Sequence, residues 1–196
     1  MTSTRIPKAE ISGVQGTLVQ RISRKRLGEV PDALGVMWHN RRVLKAFFGF
    51  AGKAEKWDAC DPNLKSFAHM AAVSLVGCSA CLDFGYFEAR NRRLDVDKAR
   101  EVPRWRESDL FTPLERDTME YAEAMTRTPS AVTDELSARL LKALGAAALL
   151  ELTAYIGLAN TASRVNTALG IESQGFAEAC GLRPLAAPGG AVLSTP

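Results

Sequence analysis

No segment of this 196-residue chain alternates apolar and polar residues over the length of a strand, so the expected fold class is all-α. A glycine-rich dinucleotide fingerprint, a P-loop and repeats at a fixed period are also missing, which removes the common nucleotide-binding classes and the solenoids. No run looks long and apolar enough to span a bilayer, and the opening Met-Thr-Ser-Thr-Arg-Ile-Pro-Lys lacks the apolar core of a signal peptide. The expectation is a cytoplasmic protein with no membrane partner. Charge of one sign is scarce as well: 25 Lys and Arg against 22 Asp and Glu leave a net charge of +3, too small to imply nucleic acid. The one basic run, Arg21 to Arg26, has no aromatic residue among its charges to stack on bases and reads as a solvated arm.

What is present is a helical chain with clear punctuation. Hydrophobic residues make up 46% and charged residues 24%, the balance of a single globular domain large enough to bury a core. Pro31 opens a short helix through Trp38, and Asn40 caps a second that carries Val43, Leu44, Phe47, Phe48 and Ala51. Asp61-Pro62 starts a third, with Leu64, Phe67, Ala68, Ala71, Ala72 and Leu75 as its buried stripe. The next is expected from Cys78 to about Arg93, followed by a short helix from Asp95 to Glu101. Thr112-Pro113-Leu114-Glu115 is a capping box. Thr133 caps a helix that Gly145 stops, and an apolar helix runs from Ala146 to Leu169. The expected organisation is an arm over 1–27, a helical domain over 28–170 and a loose tail over 171–196.

Of the four cysteines, Cys78 and Cys81 form a Cys-x-x-Cys directly after Gly77, where one helical pattern ends and another begins. Two thiols at that spacing close a disulfide across the first turn of a helix, whose N-terminus also lowers a thiol pKa. In a reducing compartment such a pair is catalytic or metal-binding rather than structural. The thioredoxin fold does not fit, because its motif needs a βαβ framework. A zinc site would require Cys78, Cys81, His69 and Cys60 together, and nothing in the sequence brings Cys60 to the pair. Cys180 lies in the tail and reads as a bystander.

The run from Asp61-Pro62-Asn63-Leu64-Lys65 to Val73-Ser74-Leu75-Val76-Gly77-Cys78-Ser79-Ala80-Cys81 resembles the core motif of the carboxymuconolactone decarboxylase and AhpD-like alkylhydroperoxidase superfamily. Trp38-His39-Asn40, Phe111 to Arg116, and Leu152 to Gly157 followed by Asn160, Arg164 and Asn166 agree in order, so the resemblance covers roughly residues 30 to 170. It implies a compact AhpD-like helical bundle that assembles as a homo-oligomer, a trimer or hexamer, without a cofactor. The implied activity is a thiol-dependent peroxidase or disulfide oxidoreductase, acting on a hydroperoxide or other small molecule and restored by a reductant protein or small dithiol. The family also includes non-redox decarboxylases that act on small organic acids, and the intact Cys-x-x-Cys argues against that alternative.

The chain departs from the family's proton relay: the glutamate position is Ser66 and the histidine position is Gly85. His69, on the same helix face as Ser66, is the candidate substitute, with Glu88 two turns after Cys81, and Asp83 less so. An imidazole that titrates near pH 6.5 would pair with a thiolate. Gly85 within a helix implies either close packing or a hole beside Cys81. The resemblance points to Cys81 as the attacking thiol and Cys78 as the resolving one, whereas helix-terminus electrostatics favour Cys78, so the order stays open. Trp38, His39, Trp105 and Tyr121 are candidate pocket walls.

Overall fold

Asp61 and Pro62 open the helix around which the others pack. The Asp61 carboxylate accepts the N–H groups of Asn63 and Leu64 at 2.7 and 3.3 Å, and Pro62 fills a position that needs no N–H donor. The resulting helix is the fourth of nine α-helices in a computed structural model that describes residues 4–187. The helices are α1 (Gly13–Leu27), α2 (Asp32–Met37), α3 (Arg41–Ala54), α4 (Pro62–Val76), α5 (Ser79–Asn91), α6 (Val96–Glu101), α7 (Pro113–Thr126), α8 (Asp134–Ala168) and α9 (Phe176–Ala179). A short 3-10 turn, Val102–Arg104, follows α6. The described residues contain no strand, and the fold class is all-α.

α4 packs against α5, α7 and α8 together, which its composition permits. Phe67, Met70 and Val73 supply bulk, while Ala68, Ala71 and Ala72 let neighbouring helices approach closely; all six are buried. Met119 from α7 and Leu140, Leu152 and Ile156 from α8 complete this core, and Phe67 meets Phe111 edge-on at 5.7 Å. The capping box of α7 forms as expected, and Lys98 pairs with its Glu115 at 2.7 Å.

Four expectations change. Leu75 was placed on the buried stripe but is exposed, because α4 emerges from the core in its last turn. The basic run, read as a solvated arm, has exposed charges but is helical: Arg24, Lys25 and Arg26 occupy the last turn of α1, where cations complement the helix dipole. Part of the tail is ordered, with Ile171, Phe176, Ala177 and Ala186 buried, while Pro188, Gly189, Gly190 and Pro196 lie outside the described residues. Finally, α8 is by length and composition long and apolar enough to cross a membrane. The sequence reading split this stretch at Gly145, which does adopt φ 78 and ψ 166 and interrupts the helix. Its Leu140, Leu152, Ile156 and Ala159 pack into the core described above.

One ion pair lies inside the bundle. Lys65 of α4 meets Glu151 of α8 at 2.6 Å with both residues buried, and it also donates to the Trp57 carbonyl. Burial pushes the Glu151 carboxyl up. The Lys65 bond and the N–H groups of Ala59 and Cys60 outweigh that and hold it below the usual carboxylate value. Removing one partner would strand a buried charge. Lys65→Met is therefore expected to lower stability by about 3–5 kcal/mol, and Lys65→Met with Glu151→Leu to recover most of that loss, as read by denaturant unfolding.

Candidate functional site

The site is built at the junction of α4 and α5. Gly77 takes the left-handed conformation (φ 78, ψ 28), and the chain reverses so that the Cys78 N–H donates to the Val73 carbonyl at 3.0 Å. Cys78 then becomes the N-cap of α5, its Sγ accepting the Cys81 N–H at 3.2 Å. The two sulfurs are bonded, with Cα atoms 5.3 Å apart. Both residues are buried, Cys78 at 2% and Cys81 at 7% exposure, so Cys81 keeps slightly more contact with solvent. A second donor reaches the pair from α8: Asn166 Nδ2 to Cys81 Sγ at 3.4 Å. Sequence reasoning assigned Asn166 no role, since 85 residues separate the partners.

Cys78 lines a shallow pocket of about 200 Å³ with Val73, Ser74, Gly77, Ser79 and Leu82. Beside it, around the last turn of α4, a wider groove of about 370 Å³ is lined by Leu75, Val76, Thr126, Arg127, Thr128 and Arg164. Arg164 donates to the Thr126 carbonyl at 2.7 Å and so ties α8 to the end of α7.

His69 comes to α5, as its face of α4 suggested. A Cβ on Gly85 would lie 3.0 Å from His69 Nδ1 and 3.2 Å from Met70 Cγ. Gly85 is therefore a close-packing glycine, and the imidazole fills the space where a residue-85 side chain would begin, one turn beyond Cys81. Tyr155 holds the ring from the other side, edge-on at 6.3 Å, and donates its own hydroxyl to Glu55 at 2.6 Å. Burial and then the Glu55 bond push the Tyr155 pKa well up, so the phenol keeps its proton. Burial pushes His69 down to about 4. With the disulfide closed, the imidazole is neutral at pH 7.

The other candidates stand apart. Glu88 accepts from Asn91 at 3.4 Å rather than from a group of the cysteine pair. Asp83 is buried and occupied: it accepts the N–H groups of Phe176 and Ala177, both at 2.9 Å, and the Ser173 hydroxyl at 2.8 Å, so it anchors α9 to α5. Cys60 sits beside Glu151 with its thiol pushed up to about 11 by burial and then by that carboxylate. Cys180 is free and half-buried at the end of α9. Among the described residues, no three His, Cys, Asp or Glu side chains gather to hold a metal. Of the aromatic candidates, Trp38 fills a small second core with Leu34 and Leu44, Trp105 is buried and donates to Glu123, Tyr121 is buried and meets Thr153, and the exposed His39 meets the Pro7 carbonyl.

Two measurements follow from the His69 and Gly85 contact. Gly85→Ala should gain helix propensity yet lose about 1 kcal/mol net, because the added methyl overpacks the imidazole; in a His69→Ala background the same change should stabilise by about 1 kcal/mol. A double-mutant cycle from denaturant unfolding reads the reversal of sign. The unfolded His69 takes up a proton near pH 6.5 and the folded one only near 4, so folding loses stability as pH falls through that window. His69→Gln should remove that part of the acid limb, as read from stability against pH.

Residues 41–124 match the model of the carboxymuconolactone decarboxylase family. The uncharacterised protein YnjA of Escherichia coli K12 is 35% identical over 160 residues, covering 79% of this chain and 86% of that relative. Among solved structures, the debrominase Bmp8 superposes with a TM-score of 0.73 at 22% identity, over 85% of this chain and 89% of Bmp8. It is also known as a cysteine-to-alanine variant in complex with 2,3,4-tribromopyrrole. A peroxidase-related protein with an alkylhydroperoxidase AhpD core, from Ralstonia eutropha, superposes with a TM-score of 0.71 at 17% identity, over 88% of this chain and 94% of that one. The family model and the YnjA match agree: this chain belongs to the carboxymuconolactone decarboxylase family.

Proposed function

We propose that this protein is a thiol-dependent oxidoreductase that reduces hydroperoxides through the Cys78 and Cys81 pair and is restored by a dithiol. The observation that carries this reading is the bonded pair at the head of α5, with a hydrogen-bond donor on each sulfur and a pocket at Cys78. A thiolate attacks the O–O bond of the peroxide, giving a sulfenic acid and an alcohol. The neighbouring thiol condenses with the sulfenic acid to the disulfide and water. No cofactor takes part. Ser66 and Gly85 supply no proton relay, so turnover should be about 10² to 10⁴ slower than in family members that hold the relay.

The same reading takes the protein to the cytoplasm and to a homo-oligomer, a trimer or hexamer. Phe48 of α3 and Leu150 of α8 are 57% and 72% exposed, apolar surface that a second copy would cover. Light scattering that reports a monomer at micromolar concentration would count against this assembly.

Peroxide consumption with a dithiol reductant tests the activity. Wild type should turn over, and Cys78→Ser and Cys81→Ser should each lose at least about 100-fold of the rate, because neither lone thiol can close the cycle. Mild peroxide should block alkylation of both thiols and a dithiol should restore it; both thiols remaining alkylable after peroxide would sink the reading. A halogenated pyrrole belongs in the same assay, given the activity named for Bmp8.

A further inference from the structure

Asn166 Nδ2 donates to Cys81 Sγ, while Asn166 Oδ1 is buried with no hydrogen-bond partner among the described residues. A disulfide sulfur has no proton to give, so only the Nδ2-inward orientation of the amide makes this bond. The carbonyl oxygen beside it is thereby left open. Buried polar atoms are almost always paired, and an unpaired one is destabilising, so a free acceptor on the amide that binds Cys81 points to a partner that arrives during the reaction.

We propose that Asn166 is a catalytic residue of the redox pair, acting on Cys81, the sulfur the resemblance favours as the attacking one. Its Nδ2 stabilises the Cys81 thiolate, and its Oδ1 accepts the O–H of a hydroperoxide at that sulfur; the identity of this ligand rests on the peroxidase reading above. Both sulfurs share the N-terminus of α5, and each has one donor: the Cys81 N–H for Cys78, the Asn166 amide for Cys81. Only the donor to Cys81 carries a free acceptor on the same group, and that asymmetry agrees with the order the resemblance implies.

The cycle balances on these groups. A reductant thiolate attacks Cys78, the sulfur that lines the pocket, and Cys81 leaves as a thiolate held by Nδ2, with a mixed disulfide on Cys78. A second reductant thiol releases Cys78 as a thiol. The Cys81 thiolate then attacks the hydroxyl-bearing oxygen of ROOH, the O–O bond breaks, and RO⁻ leaves to take a proton from water. The hydrogen stays on the oxygen now bound to Cys81, and Oδ1 accepts from that sulfenic acid. Cys78, as its thiolate, attacks the Cys81 sulfur, the S–S bond re-forms and hydroxide leaves, protonated to water.

Alkylation of the reduced protein against pH, with each cysteine followed by mass spectrometry, tests the Nδ2 role. Asn166→Leu and the isosteric Asn166→Asp should raise the apparent pKa of Cys81 by about one pH unit or more and leave Cys78 in place. A merely structural role would move both thiols together, and superimposable Cys81 curves would overturn the assignment. The Oδ1 role is read in a Cys78→Ser background, where tert-butyl hydroperoxide should leave a dimedone-trappable sulfenic acid on Cys81, formed at least about tenfold more slowly when Asn166→Leu is added. Equal trapping rates would overturn that role. Thiols inert to the hydroperoxide would overturn it together with the peroxidase reading, while the alkylation curves decide the Nδ2 role on their own.

Discussion

The left-handed turn at Gly77 is the constraint on which the site depends. It ends α4 with the Cys78 N–H returned to the Val73 carbonyl, and it starts α5 with Cys78 as the cap. A residue with a Cβ would resist this conformation by about 1–2 kcal/mol. The position of α4 is in turn set by its packing against α5, α7 and α8 and by the Lys65–Glu151 pair at its opposite end. The redox pair is thus held by one backbone turn whose incoming helix is fixed along its length.

Around the sulfurs, dipoles rather than charges do the electrostatic work. Burial disfavours a thiolate, as the Cys60 thiol, pushed up to about 11 by burial first and then by Glu151, illustrates within the same molecule. At the pair, the Cys81 N–H, the N-terminus of α5 and the Asn166 amide oppose that effect. Hydrogen bonds to a charged group contribute about 1.5–3 kcal/mol, which corresponds to roughly one to two pKa units. That is enough to make one of two adjacent thiols the ionised one. A cationic imidazole would add more, but His69 has been enclosed between α5 and Tyr155 until its charged form is disfavoured.

Much of this was legible from local signals. Asp61, Thr112, Thr133 and Gly145 mark helix ends by capping chemistry that acts within a few residues, and the α4 stripe follows from helical period. Cys78 and Cys81 are legible for the same reason. What escaped is long-range. Asn166 reaches Cys81 across 85 residues and Asp83 caps Phe176 across 93, and neither pairing leaves a trace in local spacing. α1 was missed because its Val14, Leu18 and Ile22 are exposed, so no buried stripe announces it. His69 was found by helix face, but its charge depends on enclosure. The one sequence signal for that enclosure is a glycine in mid-helix at 85, whose missing side chain makes the room.

Asp83 has a structural consequence for the redox step. By binding the N–H groups of Phe176 and Ala177 it fastens the segment after α8 to α5, and the Ser79 hydroxyl accepts the Ser173 N–H at 3.1 Å beside Cys78. The first turn of α5 is therefore held from α4 on one side and from this segment on the other. Opening the S–S bond removes neither set of contacts, so the Cα atoms of Cys78 and Cys81 should stay one helical turn apart in the dithiol. Only rotation about the cysteine side chains then separates the two states. An attacking group kept at such a distance acts intramolecularly and avoids the loss of translational freedom that a second molecule would incur. Once one sulfur carries the proposed sulfenic acid, the neighbouring thiol should consequently reach it before a solution thiol does.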